Sequence, residues 1–276
     1  MHSELVEKAT KIRQDIIKMI GLAGSGHPGG SLSCADILCA LYFKILYVDP
    51  KNPKMKNRDR FVLSKGHACP ALYAVLAEAS FFPREKLWTL RKLGSSLQGH
   101  PDLRRTVGID MSSGSLGLGI STAVGMAMAG KMDGEDHHVY SIIGDGESQE
   151  GIIWESAIFA AHHKLDNLIV FLDNNGLQID GKTCDISSLE PIAQKWEAFG
   201  WQTFEVDGHD FNQIIEAADK AKKVKEKPSM IVAHTVKGKG VSFMENKVDW
   251  HGVAPNKEQV RQALLELGVS EDELDE

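Results

Sequence analysis

Apolar residues recur at helical spacing over Leu5–Ile20, Ala35–Leu46, Ala71–Ala79, Ile120–Ala129, Ile152–His163, Ile192–Phe199 and Phe211–Lys223. Between them lie short β-rich runs: "RFVLS", "HVYSII", "NLIVFLD", "WQTFEVD" and "SMIVAHT". The last four alternate with helices over about one hundred residues, the pattern of βαβ units and a parallel sheet. "PNKEQVRQALLELG" reads as a closing helix, with Asn256 as N-cap and Gly268 as C-cap. The acidic tail beyond it, residues 269–276, is expected to fray. The pattern predicts an α/β fold, a doubly wound and mostly parallel sheet flanked by helices, in a single domain over residues 1–276.

The net charge of −7 argues against a role that neutralises nucleic-acid phosphates. No apolar run approaches the ~20 residues of a membrane span. The stretch Met1–Asp15 is charged throughout, which argues against a signal peptide and a bilayer anchor. Cys34, Cys39, Cys69 and Cys184 show no CxxC spacing, so reduced thiols in the cytoplasm are expected.

Glycine crowds one region: residues 94–151 hold 12 of the chain's 26. Glycines at strand ends and helix starts let backbone amides approach a ligand. Ligands of open α/β sheets bind beyond the carboxyl ends of the strands. One such end is "SIIGDGESQEG", Ser141–Gly151, where Asp145 stands between two glycines after an apolar pair. A buried carboxylate at that place needs a partner. The next strand ends in "DNNGLQIDG", and Asn175 follows Asp145 by 30 residues, one βαβ step that sets two oxygen donors side by side. Turn chemistry accounts for either residue alone. The spaced pair, each flanked by glycine, points instead to a hard cation such as Mg²⁺, held by few protein ligands and completed by phosphate and water.

"GDG" followed by "NN" resembles the thiamine-diphosphate motif, in which Asp and Asn ligate the Mg²⁺ bound to the diphosphate. "SGHPGG" (Ser25–Gly30), "SKGHACPALY" (Ser64–Tyr73), "GHPD" (Gly99–Asp102) and "SSGSLGLG" (Ser112–Gly119) narrow the likeness. Together they resemble the diphosphate-binding half of transketolase, from the first helix to "HGVAP" at His251–Pro255. The resemblance implies that Asp145, Asn175 and the carbonyl of Leu177 hold Mg²⁺ or another divalent cation. It implies thiamine diphosphate contacts from His67, Gly146, Glu147, Asn175 and His251. Gly114, Ser115 and Leu116 would line the cleft, and Ile179 would pack on the thiazolium ring. His27, His100 and His251 would surround the reacting sugar, where imidazoles suit proton exchange with hydroxyl and carbonyl oxygens. Glu150 and Glu155 would stand at a subunit contact, in a carboxylate network between paired active sites; Glu150 thereby joins those three histidines as a catalytic candidate. Two positions depart from the family: Ser115 replaces a usual proline, and Glu147 a residue that is often small or apolar.

Transketolases that resemble this chain continue into a pyrimidine-binding domain and a C-terminal domain. The first supplies the glutamate that protonates the cofactor's pyrimidine, and no stretch here resembles either. The resemblance therefore implies a split enzyme, a heterotetramer that pairs two copies of this N-terminal subunit with two of a separate C-terminal subunit. It would move a two-carbon ketol unit from a ketose phosphate to an aldose phosphate, with pentose phosphates as the default substrates. Two other readings stand beside it. One is part of another thiamine-diphosphate enzyme, 1-deoxyxylulose-phosphate synthase-like or 2-oxo-acid dehydrogenase-like; "SGHPGG" and "GHPD" argue against it. The other is a non-catalytic cofactor-binding protein, against which the intact set Asp145, Asn175, His67 and His251 argues. Other features read as structural: the pairs His137–His138 and His162–His163 as surface or capping groups, "GLGISTA" as a glycine-rich helix start, and Met126, Met128 and Met132 as core filling. "KGKG", Lys237–Gly240, reads as a mobile loop over the cleft, its lysines solvated.

Overall fold

The computed structural model describes residues 2–274. Five parallel strands form its main sheet, in the order β1-β2-β3-β7-β6. They are β1 (Arg60–Leu63), β2 (Val139–Gly144), β3 (Leu168–Asn174), β6 (Gln202–Asp207) and β7 (Ser229–His234). A separate antiparallel ribbon pairs β4 (Leu177–Gln178) with β5 (Gly181–Lys182). The helices are α1 (Ser3–Ala23), α2 (Pro28–Ser33), α3 (Ala35–Ala40), α4 (Cys69–Glu78), α5 (Leu118–Met132) and α6 (Gly151–His162). They continue with α7 (Thr183–Ser187), α8 (Ile192–Ala198), α9 (Phe211–Ala221), α10 (Lys257–Glu266) and α11 (Glu271–Leu274).

Both faces of the sheet are covered, which is why its central strands are nearly continuous apolar runs: every residue of β2 is buried. Successive side chains alternate between the two layers. Tyr140, Ile142, Ile169, Phe171 and Ile231 pack with residues of α1, α3, α4 and α9. Val139, Ile143, Val170, Leu172 and Val232 pack with residues of α5, α6 and α8. The doubly wound arrangement predicted from the alternation of strands and helices is the one observed. Among the described residues no helix is long and apolar enough to cross a membrane.

Three details differ from expectation. Asn256 caps α10 through a reciprocal box with Gln259, but Leu267 ends the helix and Gly268 takes the left-handed position after it, at φ +84°. Of the tail expected to fray, Glu271–Leu274 form α11, and Leu274 packs against the core; residues 275–276 lie outside the described residues. Met126 and Met128 pack against the core, whereas Met132, at the end of α5, is 75% exposed.

The sheet gathers chemistry at one edge. β1 runs out toward Lys65 and His67, β2 toward Asp145, β3 toward Asn175, and β7 toward Lys237. Helix α5 packs so closely on the end of β1 that a Cβ at Gly119 would lie 2.3 Å from the Ser64 backbone, while one at Gly125 would meet nothing within 4 Å. These two glycines of one helix should therefore respond oppositely. Gly125→Ala is expected to stabilise the free chain by up to about 1 kcal/mol through helix propensity. Gly119→Ala is expected to cost about 1–3 kcal/mol through overpacking. Urea unfolding of the two variants measures both signs.

Candidate active site

Asp145 leaves β2 with its carboxylate 6% exposed. Its Oδ1 accepts from the Gly146 N–H at 2.7 Å and its Oδ2 from the Gly176 N–H at 2.5 Å, so the two strand ends lie side by side as the 30-residue spacing predicts. Among the described residues no cationic group forms an ion pair with it. Burial, then the nearby Asp173, pushes the carboxyl up to about 6, the mark of a negative charge short of compensation. Asn175 donates from Nδ2 to Asp173 at 3.3 Å, which leaves Oδ1 on its other side to accept from the Leu177 N–H at 3.2 Å.

Three imidazoles meet beside this pair. Ring centroids of His27 and His67 are 5.2 Å apart, those of His67 and His251 5.2 Å, and those of His27 and His251 5.6 Å. Two buried glycines of α2 make room: a Cβ at Gly30 would stand 3.3 Å from His67 Nε2, and one at Gly29 2.8 Å from the Trp250 carbonyl. Burial holds all three rings neutral. It lowers His27 to about 4, helped by Arg91 and His100, and His251 to about 3, helped by Lys237 and His27. It lowers His67 well below the ordinary range, helped by Lys65 and His251. His27 Nδ1 is buried and has no hydrogen-bond partner among the described residues. His100 lies farther out, next to Gly114, whose added Cβ would be 3.6 Å from the His100 ring.

Two expected residues, Glu147 and Lys237, differ from expectation, and Glu150, Ile179, Ser115 and Leu116 are exposed or half-buried. Glu147, expected to touch the cofactor, is buried and turned into the protein: its carboxylate accepts from Ser64 Oγ, from the Gly117 N–H at 2.8 Å and from the Gly144 N–H at 3.0 Å. It braces the glycine-rich start of α5 against the end of β2. Glu150 is exposed at the N-cap of α6, and among the described residues no hydrogen bond joins it to the histidine cluster. Ile179 is 63% exposed, in the turn between β4 and β5. Ser115 is exposed and Leu116 half-buried, in the segment leading into α5. "KGKG" is not a solvated loop. Lys237 is 2% exposed, and its Nζ lies 2.9 Å from His251 Nδ1 and 3.2 Å from the Leu177 carbonyl, the same carbonyl expected to face a metal. Burial lowers its amine to about 8. One signal in the sequence could have found it: like Asp145, Lys237 follows the carboxyl end of an apolar run and precedes a glycine.

These groups fit a diphosphate with its cation. Asp145 and Asn175 stand on neighbouring strand ends, Asp145 has no ion pair among the described residues, and Lys237 and the neutral imidazoles stand beside them. Among the described residues no cluster of three His, Cys, Asp or Glu groups could hold a metal alone. The fold and this cleft define a diphosphate-binding domain of an α/β enzyme.

Comparison with known proteins narrows the class. The family model for the transketolase thiamine diphosphate binding domain matches residues 5–274. The 6-deoxy-6-sulfo-D-fructose transketolase subunit of Clostridium sp. (strain MSTE9) is 51% identical, over 96% of this chain and 96% of its own. An apulose-4-phosphate transketolase subunit from Phocaeicola vulgatus is 44% identical, over 97% of this chain and 95% of its own. Human transketolase is 40% identical over 95% of this chain, which spans 42% of the human protein. The crystal structure of transketolase from Campylobacter jejuni superposes with a TM-score of 0.92 at 37% identity, covering 98% of this chain and 43% of that one. This chain belongs to the transketolase family, as its N-terminal, thiamine-diphosphate-binding part.

The histidine cluster sets a sign for pH dependence. His27 and His251 bind protons more weakly in the folded chain than at their ordinary value of 6.5, and so does His67. Their contribution to stability is therefore complete above pH 6.5 and is lost as pH falls toward about 4 and 3, the folded values of His27 and His251. Asp145 works in the opposite sense, favouring the folded chain as pH falls from about 6 to 3.8. A difference measurement separates the two. His67→Gln should flatten the decline of Tm between pH 6.5 and 4 relative to the parent chain, as read by calorimetry across that range.

Proposed function

We propose that this chain is one half of a two-chain transketolase, active when a separate subunit supplies the pyrimidine-binding and C-terminal domains. The observation that carries the reading is coverage: the chain matches curated transketolase subunits end to end, yet spans 42% of human transketolase. The gathering of Asp145, Lys237 and the histidines at one edge of the sheet supports the same reading. Two copies of each chain, with active sites at their junctions, are the expected assembly. Exposed Leu118, Ile158, Phe159 and Ile179 form apolar surface for such contacts. Three buried free cysteines and one exposed one suit the reducing cytoplasm.

Asp145, Asn175 Oδ1 and the Leu177 carbonyl would hold Mg²⁺ beside the diphosphate. The Lys237 amine and neutral His67 and His251 would meet its oxygens, with Gly146 at the strand end. When bound, thiamine diphosphate supplies the electron sink that lets a carbon–carbon bond next to a carbonyl break and re-form. His27, His100 and His251 orient the sugar and exchange protons with its oxygens. A neutral imidazole does both, because one ring nitrogen donates while the other accepts. The reaction moves a two-carbon ketol unit from a ketose to an aldose, each with an anionic end. The relatives' names favour a 6-sulfonated ketose as the first donor to assay, then pentose phosphates and apulose 4-phosphate.

Purified alone with thiamine diphosphate, Mg²⁺ and sugar, the chain should show no ketol transfer, and activity should appear when the second chain is added. Turnover by the chain alone would overturn the two-chain reading. In the assembled enzyme Asp145→Ala should abolish cofactor binding with an unchanged circular-dichroism spectrum, because the cation's bridge to the diphosphate is lost. Calorimetric titration with thiamine diphosphate and Mg²⁺ measures this, and unchanged affinity would remove Asp145 from the metal site.

A further inference from the structure

A triad of Arg13, Asp36 and His209 lies behind the segment that carries Lys237. Arg13 of α1 and Asp36 of α3 form a two-pronged ion pair, Nη1–Oδ1 at 2.9 Å and Nη2–Oδ2 at 2.6 Å. Their side chains are 8% and 7% exposed. His209, just past the end of β6, places Nδ1 2.7 Å from Asp36 Oδ2. Its other nitrogen, Nε2, accepts from the Val236 N–H at 2.9 Å. Val236 directly precedes Lys237. On the far side of the lysine, Arg13 Nε donates to the Lys239 carbonyl at 3.1 Å. The triad thus grips the segment carrying Lys237 from both ends.

The donor inventory sets the tautomer. An ionised Asp36 can accept but not donate, so the Nδ1 facing it carries the hydrogen. The Val236 N–H can donate but not accept, so Nε2 must be bare. His209 therefore works as a neutral connector, turning the fixed Arg13–Asp36 pair into an acceptor aimed at one backbone amide. Gly238 N–H also donates to the Gly29 carbonyl at 3.0 Å and Asn246 N–H to the Lys237 carbonyl at 2.9 Å. With the backbone held, the lysine side chain has one buried course, toward His251 and the Leu177 carbonyl.

We infer that His209 is a positioning residue for the active-site amine: through the Val236 N–H it holds Lys237 in the cleft, with Arg13 and Asp36 fixing its orientation. The inference rests on the reading of Lys237 as a diphosphate contact for its importance, but not for its test. Two substitutions separate the two nitrogens. His209→Gln can set its amide oxygen near the Nε2 position and keep an acceptor for Val236. His209→Asn sets its amide nitrogen near the Nδ1 position, keeping the donor to Asp36 and losing that acceptor.

Lysine acylation of the full chain, followed by mass spectrometry, reads the outcome. Lys65 is the internal control, since it is also 2% exposed and its hydrogen bonds go to the Gly30 carbonyl and Asp173 instead of the triad. In His209→Asn the labelling rate of Lys237 should rise about tenfold, the effect of losing one net hydrogen bond that holds a local segment closed. Lys65 should stay protected, and His209→Gln should stay close to the parent. Unchanged Lys237 labelling in His209→Asn, a rise matched at Lys65, or equal rises in the Gln and Asn variants would each overturn the inference. Titration of the assembled enzyme with thiamine diphosphate tests the underlying reading separately. Lys237→Met should weaken binding, and a normal affinity there would refute the diphosphate contact while leaving the labelling result to stand on its own.

Discussion

One buried ion pair, Lys65 with Asp173, holds the cleft together. Asp173 is fully buried at the end of β3 and Lys65 is 2% exposed just past β1. Around that carboxylate gather Ser33 of α2 at 2.5 Å, Thr235 from the end of β7, and Asn175 Nδ2 at 3.3 Å. Lys65 also donates to the Gly30 carbonyl at 2.8 Å, beneath His67. Four segments distant in sequence thus take their positions from one charge. Desolvation offsets much of what such a pair gains, but removing one partner strands a buried charge at a cost of about 3–5 kcal/mol. Its effect is to specify one arrangement: any slip of a strand end would leave Asp173 or Lys65 unpaired.

Above that pair the balance of charge is incomplete. Asp145 is an acid raised to about 6 and Lys237 an amine lowered to about 8, each by burial first. Neither group is fully solvated or fully paired, and both would be relieved by a ligand carrying a cation and phosphates together. The histidines contribute no charge of their own near neutrality, so they crowd at ring separations of 5.2–5.6 Å without mutual repulsion. A cleft of this kind is costly when empty and well matched when filled, which suits tight retention of a cofactor.

Two residues show how position in space reverses a reading made from type and neighbours. Glu147 lies two residues from Asp145, in a glycine-rich loop, and by sequence belongs to the ligand shell. Its carboxylate is instead consumed by Ser64 and the amides of Gly117 and Gly144. Lys237 stands among alternating glycines and lysines, a composition that suits a solvated loop. The backbone hydrogen bonds of its neighbours turn it inward, while Lys239 remains half exposed. In both cases some of the deciding partners are distant along the chain, as Gly117 is from Glu147 and Leu177 from Lys237.

The layers and the chemical edge of the sheet are legible without any coordinates. Burial on both faces demands long apolar strands and amphipathic helices, and these are visible as period and run length. The strand ends, with Asp145 and Asn175 one crossover apart, follow from the same periodicity, because parallel strands joined by a helix bring equivalent ends together. The histidine motifs came through resemblance, not pattern, since a lone histidine beside a glycine has no period to betray it. Which polar side chains face the cleft, and which brace it from behind, is settled in three dimensions alone. That choice rests on hydrogen bonds and ion pairs between residues far apart in the chain, as Arg13 and Lys239 or Lys65 and Asp173 are. Such contacts depend on a few tenths of an ångström and on the direction of one amide, quantities that exist once the layers have packed and that no local run of residues encodes.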